Sequence, residues 1–347
     1  MTLHETYMKR CLHLASLGAG KVAPNPMVGA VLVYEDRIIG EGWHQKYGGP
    51  HAEVNCVNSV SPEHQPLISQ STIYVSLEPC AHFGKTPPCA DLIISRKIPR
   101  VIIGCRDPFE QVDGKGIEKL EQAGIAVISG VLENECKELN RRFLTFHRRH
   151  RPYIILKWAQ SSDGLMAAAG NERTFITNEY SNRLVHKWRS EEAAIVVGTS
   201  TALRDDPSLT NRLWSGNNPV RVVLDMDLRL PGSLRLFDAA VRTIVFNASK
   251  DGMQGNIEFV KVSKAADVPM QVVKALYKMN VQSILVEGGA QLLQSFIGQQ
   301  LFDEIRVIEN TALHLGKGLQ APRFSAIILK EQLKLMDDDI KIFIQHP

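Results

Sequence analysis

Ile73-Tyr74-Val75-Ser76-Leu77-Glu78-Pro79-Cys80 is an apolar, β-branched run that stops on a proline and a cysteine. It reads as a strand that delivers a thiol to a loop. His51-Ala52-Glu53 stands upstream and Cys89 downstream, so the strand sits among three soft or borderline metal ligands and one free carboxylate. Zinc accepts imidazole and thiolate readily, and three protein ligands leave its fourth tetrahedral position open for a water acidified towards neutrality. Glu53 is then the group that moves the proton, as in a zinc hydrolytic deaminase. The cysteine pair of such sites is usually separated by two residues. Here Cys80-Ala81-His82-Phe83-Gly84-Lys85-Thr86-Pro87-Pro88-Cys89 has eight between them. The longer loop offers His82, Lys85 and Thr86 for holding a substrate.

Around this stretch the first half alternates helix and strand patterns. The spacing predicts a helix over about 4 to 18, a strand from Val28 to Tyr34, a helix beginning at His51, another from Ala90 to Ser95, and a strand from Arg100 to Gly104. Both metal motifs then open helices, whose positive dipole ends favour the deprotonated thiols that zinc requires. Residues two apart do not share a helix face, so His51 and Glu53 can converge on one water only if the site lies off the helix end.

At Pro152 a basic segment (Arg141-Arg142 through His147-Arg148-Arg149-His150-Arg151) meets the apolar run Tyr153-Ile154-Ile155-Leu156-Lys157, and the strand pattern restarts. The domain boundary is placed there, giving domains over 1–147 and 152–347. The basic segment reads as a solvated connector, with anion binding as the alternative. Further strands are predicted at Ala194–Gly198, Val220–Asp225, Thr243–Asn247, Ile257–Val262, Ser283–Glu287 and Glu304–Ile308, with helices between several of them. This is a second α/β domain, unrelated in pattern to the first.

The totals bound the function classes. With 347 residues, 44% of them hydrophobic and 22% charged, the chain is expected to be soluble and globular. A formal charge of +3 is too small and too evenly spread for nucleic-acid or membrane binding to be the main activity. Six cysteines, two of them in metal spacing, suit a reducing compartment and no disulfide framework. No N-terminal stretch has a signal peptide's apolar core, so a cytoplasmic location is expected.

Two loops of the second half carry chemistry. Ser283-Ile284-Leu285-Val286-Glu287-Gly288-Gly289 is a strand and a two-glycine turn before a helix, which either brings bare backbone N–H groups to a phosphate or is simply a tight connection. The loop from Gly198 to Arg212 mixes hydroxyls, carboxylates and arginines, which suits a ribose phosphate, although a capped helix in a polar loop would look the same. Lys157 and Asp163 form either a ligand-facing pair or an exposed salt bridge.

These residues together resemble the bifunctional deaminase/reductase of riboflavin biosynthesis, along nearly the whole chain. The resemblance rests on Pro24-Asn25-Pro26-Met27-Val28-Gly29, on Gly49-Pro50-His51-Ala52-Glu53 and on Leu77 through Ala90 with the long loop. In the second half it rests on Leu156-Lys157 with Asp163-Gly164, on Gly198 to Arg212 and on Val286-Glu287-Gly288-Gly289. It implies an α/β chain with an N-terminal cytidine-deaminase-like α/β/α domain and a C-terminal dihydrofolate-reductase-like α/β domain. The first would remove the 2-amino group of a 2,5-diaminopyrimidinone bearing a phosphoribosylamino group, and the second would reduce ribosyl to ribityl with NADPH. Zinc carries over onto His51, Cys80 and Cys89, the proton shuttle onto Glu53, and pyrimidine contact onto Asn25. NADPH is implied along Ala159, Phe175, Thr201, Asp205 and Gly289, and substrate at Arg173, Arg189, Leu209, Arg212 and Glu287. Three positions depart from the family's commoner residues: Ser162 stands for leucine in the Ser161-Ser162-Asp163-Gly164 stretch, Arg173 for a small hydroxyl residue and Phe175 for tryptophan. Enzymes of this kind are often homo-oligomers, acting on a small phosphorylated pyrimidine with no nucleic-acid or membrane partner.

Two other readings stay open on the residues alone. One is a base or nucleoside deaminase fused to a folate-type reductase, against which the Cys80 to Cys89 loop argues. The other is a non-catalytic protein stapled by zinc, against which a set of three ligands argues, since structural zinc normally has four.

Overall fold

The computed structural model describes residues 2–83, 87–170, 174–325 and 327–345. The chain divides into two compact units, Met1–His150 and Arg151–Pro347. In the first, helix α1 (Leu3–Ser16) begins with a reciprocal capping box between Thr2 and Glu5 and buries Tyr7, Met8, Cys11, Leu14 and Ala15, the one-sided spacing of an amphipathic helix. Strands β1 (Gly29–Tyr34) and β2 (Arg37–Trp43) come next, then α2 (Ala52–Asn58), β3 (Thr72–Leu77), α3 (Cys89–Ser95), β4 (Arg100–Cys105), α4 (Lys115–Gln122), β5 (Ala126–Ser129), α5 (Glu133–Leu139) and α6 (Arg141–Arg149).

The sheet order is β2-β1-β3-β4-β5, with β1 antiparallel to both neighbours and β3, β4 and β5 parallel. Strand periodicity sends alternate residues to opposite faces. Val31, Val33, Tyr74 and Ile102 pack with α1 and α5, while Ala30, Leu32, Ile73, Val75, Val101 and Ile103 pack with α2, α3 and α4. The result is a three-layer α/β/α unit. A Cβ on Gly29 would collide with the Cys11 carbonyl, so glycine there lets β1 lie directly on α1.

The second unit contains β6 (Tyr153–Ser161), β7 (Leu165–Ala168), α7 (Glu179–Glu191), β8 (Ala194–Gly198), α8 (Thr199–Asp205), β9 (Val220–Leu224) and β10 (Thr243–Asn247). After these come β11 (Gly252–Gln254), β12 (Ile257–Lys261), α9 (Val268–Lys278), β13 (Ser283–Val286), α10 (Ala290–Gly298), β14 (Glu304–Asn310), β15 (Gly318–Gln320), β16 (Ile327–Leu335) and β17 (Asp338–Gln345). Ten strands run in the order β11-β12-β10-β9-β8-β13-β6-β14-β17-β16, parallel from β12 to β14 and antiparallel at both ends. Helices α9 and α10 cover one face, and α7 and α8 the other.

The α/β class expected from the sequence is the class observed. The helix predicted over about 4 to 18 stops at Ser16, and the strand predicted from Val28 begins at Gly29. The basic segment is no bare connector: most of it is α6, which buries Phe143, Leu144 and Phe146 while Arg148 and Arg149 face outward. The hairpin of β16 and β17 has no counterpart among the predicted strands, because β16 is an edge strand whose central residues are exposed and polar.

Candidate functional site

Strand β3 ends at Leu77, and the buried carboxylate of Glu78 fixes the turn beyond it. It accepts hydrogen bonds from the backbone N–H groups of Asp107, Gly114, Gly116 and Ile117, at 3.0–3.3 Å. This holds the Pro79-Cys80 turn against the start of α4. Burial pushes the Glu78 pKa up, and these backbone donors oppose it. Cys89 is the first residue of α3, and its N–H points at Cys80 Sγ, 3.3 Å away. His51 precedes α2 as its N-cap residue but makes no side-chain cap bond, so its ring is left for other partners.

The three side chains converge. His51 Nδ1 lies 3.6 Å from Cys80 Sγ and 3.4 Å from Cys89 Sγ, and the three donor atoms all lie within 4.8 Å of one another. On a tetrahedral zinc with bonds of about 2.3 Å to sulfur and about 2.0 Å to nitrogen, such atoms stand about 3.5 Å apart. The donors therefore fit that ion. They also compete for protons: the Cys80 thiol is held well below its usual pKa, chiefly by its hydrogen bond with Cys89, while the same bond and burial push Cys89 up. His51 is raised by Cys80. A donor set of this kind releases protons when a divalent cation binds. Glu53, 3% exposed, is raised by burial and then by the Cys80 charge, with His51 opposing the shift. The site lies off the N-terminal end of α2, which is how residues two apart can share it.

Asn25 stands nearby through His44. The His44 Nδ1 lies 3.0 Å from the Pro50 carbonyl, which can only accept, so Nδ1 carries the proton and Nε2 accepts from Asn25 Nδ2 at 3.1 Å. The ring of His44 also meets His51 edge-on, with centroids 5.5 Å apart. In the loop between the cysteines, the His82 ring meets Phe109 at 5.8 Å, and its buried Nδ1 has no hydrogen-bond partner among the described residues. Lys85 and Thr86 lie outside the described residues.

The second unit holds a cavity of about 420 Å³ at the ends of β6 and β8. Ala159, Phe175, Thr201, Asp205 and Gly289 all line it, as do Arg189, Leu209 and Glu287. Gly288 and Gly289 have separate physical causes. A Cβ on Gly288 would stand 2.9 Å from Thr201 Cγ2, whereas Gly289 has φ +72°, in the left-handed region that favours glycine. The turn is thus a tight connection that also forms a cavity wall, at the N-terminus of α10. Apolar walls from Trp158, Met166 and Val197, with Ser200, Thr201 and Arg204 as polar groups, fit a dinucleotide. Phe175 is 76% exposed at the rim.

Arg189 and Glu287, expected on the substrate, grip each other through two hydrogen bonds of 3.0 and 2.5 Å, with side chains only 14% and 6% exposed. Lys157 lines the cavity beside them, its pKa lowered by burial. It does not pair with Asp163, so neither reading of those two residues as a pair holds. Asp163 accepts from Ser161 Oγ and from the N–H groups of Leu315 and Gly316, which ties down a loop. Arg212 is exposed and is not among the described cavity-lining residues; its N–H donates to His186 Nδ1 at 2.9 Å, and its guanidinium donates to Thr210. Arg173 lies outside the described residues.

Sequence reasoning missed His44, Glu78 and His186. Lone histidines carry no spacing signal, but Glu78 adjoins Pro79-Cys80 and could have been read as the buried partner of that turn.

The chain matches two family models: the cytidine and deoxycytidylate deaminase zinc-binding region over residues 1–105, and the RibD C-terminal domain over residues 152–338. A riboflavin biosynthesis protein RibD from Aquifex aeolicus (strain VF5) is 37% identical, the match covering 99% of this chain and 99% of that protein. The RibD of Escherichia coli (strain K12) is 35% identical over 87% of this chain and 86% of its own. Among solved structures, a diaminohydroxyphosphoribosylaminopyrimidine deaminase/5-amino-6-(5-phosphoribosylamino)uracil reductase from Thermotoga maritima superposes with a TM-score of 0.90 at 37% identity, covering 99% of both chains.

Proposed function

This chain belongs to the RibD family of bifunctional riboflavin-biosynthesis enzymes, and from that premise we propose that the two units each carry one active site, on the residues described above. The protein is a zinc-dependent pyrimidine deaminase and an NADPH-dependent reductase. It deaminates 2,5-diamino-6-(5-phosphoribosylamino)pyrimidin-4-one and reduces the ribosyl side chain, giving 5-amino-6-(5-phosphoribitylamino)uracil.

In the first unit His51, Cys80 and Cys89 hold the zinc, which when bound supplies the Lewis acidity that makes a water nucleophilic near neutral pH. Glu53 takes one proton from the attacking water to the ring nitrogen, and then carries the second proton, from the newly added hydroxyl, to the amine as the C–N bond breaks and ammonia leaves. Its burial supports this role, because a raised pKa makes the carboxylate a better proton acceptor and moves it towards the operating pH. Asn25, with one N–H committed to His44, keeps its Oδ1 for the pyrimidine.

In the second unit NADPH, when bound, would supply the hydride for reducing the electrophilic carbon of the opened ribosylamine. Alignment is the demand on the protein. Thr201, Asp205 and the Gly289 turn would hold the cofactor, with Ala159 and the exposed Phe175 ring as further contacts. Glu287 neutralises Arg189 and fixes it as a wall, so the substrate phosphate falls chiefly to Arg212 and Arg173, with Lys157 as the cation inside the cavity.

The observation that carries the reading is the convergence of His51, Cys80 and Cys89 beside a buried Glu53. The test supplies the purified protein with the diaminopyrimidine ribosylamino-phosphate and follows ammonia and NADPH together. Ammonia release followed by NADPH oxidation supports both assignments, and silence in both channels overturns them. We also propose that the enzyme works as a homo-oligomer in the cytoplasm. Among the described residues no helix is long and apolar enough to cross a membrane.

A further inference from the structure

We propose that Asn140 is a positioning residue of the deamination site, acting through the loop that carries Asn25. The inference rests on the reading of Asn25 as a pyrimidine contact. Asn140 lies between α5 and α6 and is 3% exposed. Its Oδ1 accepts from the Met27 N–H and its Nδ2 donates to the Met27 carbonyl, both at 2.8 Å, across a separation of 113 residues. One planar amide thus satisfies both polar groups of one residue, as a neighbouring strand would.

The loop needs that partner. Pro24 and Pro26 have no N–H to donate, so the stretch around Asn25 has few backbone groups with which to anchor itself. Upstream, the Asn25 N–H bonds the Val22 carbonyl; downstream, the Val28 carbonyl accepts from the His44 N–H, and Met27 is held by Asn140. The Asn25 side chain is meanwhile held by His44, whose ring touches His51. Asn25 is therefore fixed from two directions: its side chain from the metal side and its backbone from α5 and α6. Aspartate at 140 could accept from Met27 but not donate, and alanine would leave both Met27 groups without this partner.

The experiment uses the full-length zinc-loaded enzyme with Asn140→Ala, Asn140→Asp, Asn25→Ala and the Asn25→Ala/Asn140→Ala double variant. Zinc content and NADPH oxidation on the already deaminated substrate report folding. The deamination KM is expected to rise roughly tenfold or more in Asn140→Ala, with kcat less affected. The double variant should be no worse than Asn25→Ala within about twofold, because both changes remove the same contact. Losses that multiply would overturn the inference and leave Asn25 assigned. Full deamination by Asn25→Ala would overturn the underlying reading, and the inference with it. If Asn140→Ala loses zinc, the near-isosteric Asn140→Asp decides: a raised KM with zinc retained supports the positioning role, and an unchanged KM overturns it.

Discussion

The two sites solve opposite electrostatic problems. In the first unit the site groups are two thiols, an imidazole and a carboxyl, Cys89 and Glu53 buried and His51 and Cys80 partly so, and no lysine or arginine pairs with them in the described contacts. Their charge is complete only with a cation. In the second unit the buried charges answer one another, Arg189 with Glu287 and Lys157 beside them, so the cavity is shaped before anything enters it. A site that borrows its charge should fail when the cation is withdrawn. One that carries its own counter-charge should fail only when a partner is removed.

The largest expected effect belongs to Glu53→Gln. It keeps the shape of the side chain and removes its ability to carry the proton, so deamination should fall by about 10²–10⁴. Zinc content and NADPH oxidation should be unchanged, as read by metal analysis and absorbance. A structural zinc site would lose nothing.

Arg189→Met comes next. It would leave the Glu287 carboxylate buried without its ion-pair partner, which costs about 3–5 kcal/mol. The second unit's unfolding transition should move down and reductase activity fall, while ammonia release continues. Should thermal unfolding be unmoved, the pair is not the self-neutralised wall described here.

Phe175→Leu is a smaller change, because the ring sits at the rim. Loss of a stacking contact worth about 0.5–1.5 kcal/mol should raise the KM for NADPH about 2- to 10-fold with kcat little altered. No change in KM would remove Phe175 from the cofactor contacts.

The smallest effect is on pH dependence. His186 is held near 4, below its ordinary 6.5, first by burial and then by Arg189 and Arg212. The unfolded chain takes up a proton as the pH falls through 6.5, whereas the folded chain does so only near 4. The second unit should therefore lose stability progressively over that window on acidification and show no such slope above it. His186→Asn, which keeps an acceptor for the Arg212 N–H, should flatten the slope when urea midpoints are compared above and within the window.

The contrast between the sites also accounts for what was legible in the sequence. Metal ligation needs particular atoms, and imidazole nitrogen and thiolate sulfur are among the few that suit zinc, so His51, Cys80 and Cys89 stand out by type and spacing. The α/β class is legible in apolar strands buried on both faces, among them Ile195-Val196-Val197 and Ile284-Leu285-Val286. The cavity is different. Its walls come from β6, β7, residues 174–177, α7, β8, α8 and the loop after it, the Glu287 to Gly289 turn and β15, most giving one or a few residues of ordinary type. Residue types singled out the Gly198 to Arg212 loop, the Glu287 to Gly289 turn and Lys157, but only the resemblance named Ala159 and Phe175 and said what the loops would hold. The Arg189–Glu287 pair was invisible because charge alone cannot tell a phosphate ligand from a buried partner 98 residues away. Asn140 and His44 were invisible for a related reason: a single amide or imidazole becomes informative only when the fold shows what it touches.

The central claim, that one chain holds one site completed by a cation and one that is not, is tested most directly by chelation. The zinc-stripped protein would be given the diamino substrate while ammonia is measured, and separately the deaminated substrate with NADPH while absorbance is followed. Ammonia release is predicted to stop and to return on adding zinc, while NADPH oxidation proceeds at the untreated rate. Loss of both activities together, or of neither, would contradict the claim.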